Sequence, residues 1–316
     1  MNVLADSIVE VSVPITQNGA QEWLVAFASH LLTGGRSERT IRAYLQDVRS
    51  FAAWFEQVNG EQFSPEEITG VDLRAYRTYA MDHCAPATFN RRRAMLKVLI
   101  GWALEVGLLS YDPMKGVKPV AQEETLARWL DNTEYHRLTR TVELLVNGAK
   151  TEAASRQAIR DQAMLALMLW AGLREGEVAA LNREDVQLGE RKGRVIVRRG
   201  KGDKRREIPL NSEARQAIKA WDQVRGSEPG ALFGGKGGVR ITGKGIQDRL
   251  RVIRTTAGLD EDVTPHALRH TFAKRMVDAG IPLGSIQKLL GHSRLETTLV
   301  YTKPGWTDLE RAVEGK

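Results

Sequence analysis

Before residue 120 the chain shows no sustained strand pattern bounded by turn residues. Apolar residues recur there every three to four positions instead. Ile41, Tyr44, Leu45, Val48, Ala52 and Phe55 fall at the spacing that lines one face of a helix. That periodicity argues against a sheet and predicts a first domain of four or more helices. The punctuation agrees. A short helix fits Gln21–Leu32, Gly34-Gly35 breaks it, and Ser37 is a candidate cap for the next helix, which Asn59-Gly60 ends. A third helix fits Val71–Asp82 and a fourth Pro86–Val106, with Pro86 near its start, where its missing N–H is not needed.

Tyr111-Asp112-Pro113 stops the fourth helix, and residues 113–126, with Pro113, Gly116 and Pro119, read as a connection between domains. Helices are predicted after it at about 131–147 and 155–171. The period then changes. Arg194–Arg199 alternates and is β-branched, Gly200–Asp203 is a turn, and Lys204–Leu210 is a return strand, so a β-hairpin is predicted. Helices follow at about 212–224, 243–257, 264–279 and 282–290, with Gly291 where a helix C-terminal glycine belongs, and a short one at 307–313. The expected organisation is a flexible arm (1–18), a helical domain (19–119), a linker (120–126), a mostly helical domain with a small β-hairpin (127–303) and a C-terminal tail (304–316).

Charge separates the two domains. The formal net charge is +7, yet residues 1–119 carry −1 and residues 120–316 carry +8. The excess peaks at Arg191–Arg206, where nine of sixteen residues are Lys or Arg. Clustered positive charge gains affinity for nucleic acid by releasing counterions, so a phosphate-rich partner is one reading and a solvated basic surface the other. Cys84 is the only cysteine, which excludes an intrachain disulfide and fits a reducing, cytoplasmic setting. The longest apolar stretch, Ala163–Leu173, has 11 residues, against the roughly 20 that cross a bilayer, so no membrane partner is expected.

Five pieces of the second domain carry chemistry. Arg174 follows Gly172-Leu173 at the end of an apolar helix, with Glu177 three residues on. Lys201 stands between two glycines in the hairpin turn. His266 and Arg269 are three apart on one helix face, with His270 beside them. His292 follows Gly291 just beyond a helix end, and Tyr301 comes nine residues later. Arginines stabilise the negative charge of a phosphoryl transition state, a histidine moves a proton near neutral pH, and a tyrosine hydroxyl becomes a nucleophile when its proton is taken. The set is a plausible phosphodiester-cleaving constellation.

The strings AGLREGEVAAL, GKGDKRREIPL, TPHALRHTFA and LLGHSRLETTLVYT resemble, in order and spacing, the signature boxes of the tyrosine recombinases, or phage integrase family. The resemblance covers about residues 20–303, and the helical first domain is similar to the family's core-binding domain. It implies that Arg174 and Arg269 clamp the scissile phosphate, that His266 handles the proton, and that His292 fills a catalytic position that is histidine in most members and tryptophan in some. Lys201 would protonate the departing 5′ oxygen. Tyr301 would be the nucleophile, forming a 3′-phosphotyrosyl link, with Glu177 and His270 in support. The implied reaction needs no cofactor and no metal. The implied partners are double-stranded DNA recombination sites and three further copies of the chain. A free monomer would become a tetramer on DNA that exchanges strands through a Holliday junction, its two domains clamping the duplex. Whether accessory proteins take part is not legible in the sequence. Arg91, Arg92, Arg93, Arg198, Arg199, Lys204, Arg205 and Arg206 are candidate DNA contacts. Leu309 and Val313, four apart in the tail, suggest a helix that docks on a neighbouring subunit.

Other readings remain open at this level. His266 and His270 have the spacing of a metal pair, but Ala267 stands where an H-E-x-x-H motif needs its glutamate. His270 also reads as a buried structural histidine, Glu177 as a plain ion-pair partner, Lys204 as a rival to Lys201, and Arg91–Arg93 as solvated charge. At the level of the whole chain the rivals are a non-catalytic DNA-binding protein that kept the fold and a type IB topoisomerase-like monomer.

Overall fold

The computed structural model describes residues 20–121, 127–198, 205–226, 228–292, 296–302 and 313–314. Its contacts divide the chain into two compact units, Met1–Thr125 and Leu126–Lys316.

The first unit is helical: α1 Ala20–Thr33, α2 Glu38–Asn59, α3 Gly70–His83 and α4 Pro86–Glu105. The caps are those the sequence offers. Ser37 accepts from the Thr40 N–H, and Gly60 closes α2 at φ 72°, a left-handed conformation that glycine adopts without penalty. Thr69 and Asp72 form a capping box at the start of α3. The amphipathic face of α2 buries Ile41, Leu45, Val48, Phe51, Trp54 and Phe55. Phe51 meets Phe63 and Tyr76 edge to face, with ring centroids 5.2 and 4.9 Å apart. Asp47 is buried in the same face, where Arg91 pairs with it. Val120 is pinned to α4 by two hydrogen bonds with the Asn90 side chain, at 2.8 and 2.9 Å.

The second unit contains helices α5 Asn132–Asn147, α6 Glu152–Ala171, α7 Glu175–Ala180, α8 Ser212–Arg225, α9 Gly243–Thr256, α10 Pro265–Asp278, α11 Leu283–Leu290 and α12 Glu296–Leu299. Between α7 and α8 lie β1 Val186–Leu188, β2 Gly193–Val197 and β3 Arg206–Pro209, which form one antiparallel sheet in the order β1-β2-β3. The predicted hairpin is therefore present, with an additional edge strand beside it. In its register Val195 faces Ile208 and Val197 faces Arg206. Helix α6 is the centre of this unit: every residue from Ala163 to Leu169 is buried, as is Ala171. An apolar run of that kind on all sides is the mark of a helix enclosed by neighbours. Among the described residues no helix is long and apolar enough to cross a membrane.

A smaller apolar cluster of Phe272, Ala273, Ile286, Leu290 and Tyr301 sits apart from the main core. It packs α10 against α11 and the single 3₁₀ turn Val300–Thr302 that carries Tyr301. This cluster positions the chemistry below. The arm 1–18, the hairpin turn with Arg199, Lys201 and Lys204, and the tail helix apart from Val313 lie outside the described residues.

Candidate active site

Helix α6 ends at Gly172, whose φ of 66° turns the chain, and Arg174 follows as the N-cap of α7. No larger residue fits at 172. A Cβ there would lie 2.4 Å from Cδ1 of Phe272. The turn leaves the Gly172 carbonyl accessible to Arg269, which donates from Nη1 at 2.5 Å. The other terminal nitrogen, Nη2, donates to the Leu290 carbonyl at the end of α11, at 2.6 Å. Arg269 is only 2% exposed, so the main chain of two separate helix ends fixes its guanidinium.

Glu177 links three arginines. Its Oε1 accepts from Nη1 of Arg174 and Nη1 of Arg206, each at 2.9 Å. Its Oε2 accepts from Nη2 of Arg206 at 2.7 Å and from the Arg174 backbone N–H at 2.9 Å. Arg269 stands 3.7 Å from the same oxygen. Burial works to raise the Glu177 carboxyl, but the Arg206 bonds and charge, and then Arg174, hold it below its ordinary value. Burial brings Arg269 down to about 9, with the neighbouring Arg174 charge adding to the effect and Glu177 opposing it.

Tyr301 is 1% exposed, and its hydroxyl lies 2.7 Å from Nδ1 of His270. Burial raises the phenol, while the charges of Arg269 and then Arg174 pull it back. His270 is lowered to about 4 by burial, by His266 and by Arg269. His292 is also lowered to about 4, through burial and the charges of Arg269 and Arg174. Its Nδ1 is 3.0 Å from the hydroxyl of Thr298, which is fully buried. Thr298 had no signal in the sequence beyond its place six residues after His292. His266 is exposed, and its ring centroid is 6.4 Å from that of His270.

The structure thus gathers Arg174, Glu177, Arg269, His270, His292 and Tyr301 from four separate stretches, with His266 at the margin. Lys201 lies outside the described residues. The basic side chains expected to meet DNA divide. Arg198 and Arg205 are 56% and 62% exposed, each paired with nearby carboxylates. Arg91 is half exposed beside Asp47, Arg92 bonds the Tyr76 hydroxyl at 3.2 Å, and Arg93 bonds the Val117 carbonyl at 2.7 Å. Arg206 differs from the sequence expectation: its side chain is 9% exposed and turned inward onto Glu177. Strand alternation explains this, because Arg206 shares a face with buried Ile208 while Arg205 and Glu207 point outward.

Comparisons with known proteins identify the family. The phage integrase family pattern matches residues 128–305, and the phage integrase N-terminal SAM-like domain matches residues 24–107. The chain is 32% identical over 297 residues to tyrosine recombinase XerC of Neisseria meningitidis serogroup B, covering 93% of this chain and 94% of that protein. It is 34% identical over 291 residues to tyrosine recombinase XerC of Pseudomonas aeruginosa, covering 88% and 89%. Its fold is similar to that of the XerH site-specific recombinase bound to a palindromic difH substrate, with TM-score 0.72, 20% identity and 98% and 93% of the two chains covered. The chain belongs to the phage integrase family, the tyrosine recombinases.

Proposed function

We propose that this protein is a site-specific DNA recombinase that cuts and rejoins strands through Tyr301. The observation that carries the reading is the convergence on one buried hydroxyl: Tyr301 meets His270 directly and lies in the field of Arg269 and Arg174. Arg174 and Arg269 bind the non-bridging oxygens of the scissile phosphate and stabilise the charge that grows there during transfer. The Tyr301 oxygen loses its proton and forms a bond to phosphorus. The bond from phosphorus to the 5′ oxygen breaks, and that oxygen leaves as a hydroxyl after taking a proton. Lys201 is assigned the donation of that proton on the strength of the family resemblance. The 3′-phosphotyrosyl ester keeps the bond energy, so a 5′ hydroxyl reverses the step without a nucleotide cofactor. His292, uncharged near neutrality, lies close enough to feel both arginines. His266, exposed one helical turn before His270, is assigned to proton handling.

The duplex is held by exposed cations, Arg198 and Arg205 of the second unit and Arg91 of the first, which contact phosphate and set position without reading sequence. Four copies on two sites exchange strands in pairs through a Holliday junction. The tail beyond Tyr301 is assigned to contacts between those copies.

The test is covalent trapping. Duplexes that the protein selects from a random library are nicked beside the scissile phosphate, so that the freed fragment diffuses away. Wild type is expected to give a metal-independent protein–DNA adduct on a denaturing gel, and Tyr301→Phe none. A wild type that binds the selected DNA but never links to it would sink the reading and favour a non-catalytic binder.

A further inference from the structure

The Arg206 side chain turns inward from β3, and its donors do not face outward. Nε donates to the Leu289 carbonyl at 3.0 Å, and the two terminal nitrogens form a fork on the two oxygens of Glu177. The fork spans the carboxylate in the planar, two-bond geometry available to arginine and not to lysine. The guanidinium also packs against Gly291: a Cβ there would lie 3.0 Å from its Nη1 and 3.1 Å from its Cδ. Gly291 directly precedes His292, and Leu289 is the residue before Leu290, whose carbonyl holds Arg269. One buried side chain therefore touches the carboxylate behind Arg174 and the helix end behind His292 and Arg269.

Glu177 carries one negative charge and three arginines approach it. If Arg206 were absent, that charge would be shared between Arg174 and the more distant Arg269. Arg174 would then be more nearly neutralised, and drawn toward Glu177 rather than toward a phosphate.

We infer that Arg206 is a positioning residue for strand cleavage: it occupies the Glu177 carboxylate so that Arg174 keeps its charge and aim for the scissile phosphate. It also ties the Leu289–His292 turn to that carboxylate. This rests on the recombinase reading above. Arg206 touches no reacting atom in it.

The experiment is single-turnover cleavage of the nicked duplex at saturating protein, with DNA affinity and thermal melting measured beside it. Arg206→Ala is expected to slow adduct formation by about 100-fold, the size of a misaligned reacting group, with DNA affinity unchanged. Arg206→Ala combined with Glu177→Gln is expected to cleave faster than Arg206→Ala alone, because the charge competing for Arg174 is gone. A purely structural role predicts a double variant as slow as the single one or slower, and that result would overturn the inference. If Arg206→Ala does not fold, Arg206→Lys carries the test. It keeps one charge without the fork, and an intermediate rate is expected. A wild-type rate in Arg206→Lys under those conditions refutes the role. No adduct from wild type itself refutes the recombinase reading instead, so the two failures are distinguishable.

Discussion

The Tyr301 hydroxyl and Nδ1 of His270 lie 2.7 Å apart, although 31 residues of chain separate them. The contact joins the last 3₁₀ turn to α10, and it is the polar anchor of a ring otherwise packed among Phe272, Ile286 and Leu290. His270→Ala leaves that buried hydroxyl without its partner. The expected loss is about 1–3 kcal/mol of stability, read by chemical denaturation. His270→Asn, which keeps a polar group at the position, is expected to lose less.

Stability is expected to depend on pH in a defined window. His270 and His292 are both held near 4 in the folded chain, and an unfolded histidine titrates near 6.5. Between those values the unfolded chain binds protons that the folded chain does not. Stability therefore rises with pH through the window and falls on acidification from about 6.5 toward 4. Glu177, held below its ordinary value, has the same sign but acts lower, as pH falls below about 4.5. Melting temperatures measured from pH 7 to pH 4 check this. His270→Gln and His292→Gln should each flatten the slope.

Gly172→Ala tests the turn that presents Arg174. The new Cβ would meet the Phe272 ring at 2.4 Å, and φ is 66°, so steric overlap and a left-handed alanine act together. A loss of about 1–3 kcal/mol is expected from overpacking alone. The same displacement moves the carbonyl that holds Arg269, so cleavage should fall more than DNA binding does. A melt and a trapping assay on one preparation separate the two effects.

Glu177→Ala removes the carboxylate that Arg174, Arg206 and Arg269 approach. Breaking a buried pair by deleting one partner costs about 3–5 kcal/mol, because the remaining charges lose their compensation. Chemical denaturation should show that loss. Glu177→Gln, which keeps shape and hydrogen-bonding atoms, is expected to lose less.

Helix boundaries were legible in the sequence because they rest on local chemistry. Ser37, Gly60, Pro86 and Gly291 each mark an end through a cap or a restricted φ, and the structure places helix ends at all four. Strand β1 was not legible: Val186–Leu188 has three residues, too few to show a period. Helix α7 was missed for the same reason, at six residues. The role of Arg206 was hidden by its neighbours. Read as part of a basic run it belongs with Arg205, but the two-residue period of β3 sets the two on opposite faces. The pairing of His270 with Tyr301 had no local signal, since only tertiary packing brings α10 to the last turn. The motif order made the group recognisable, while its internal wiring depends on which faces are buried.

The hydrogen bonds that hold Arg269 go to two main-chain carbonyls, with the Glu177 carboxylate 3.7 Å away as an ion-pair partner. Substitution can change what a neighbouring side chain offers, but it cannot remove a carbonyl from the backbone. Retuning this arginine therefore requires moving a helix end, as Gly172→Ala would, rather than exchanging a hydrogen-bonding side chain. It acts as a fixed datum, and diversification of the surrounding residues can proceed while its coordinates stay put. Exchanges of neighbours that leave both helix ends in place should leave this ion where it is, and grafting the site elsewhere would require transplanting the two helix ends with it.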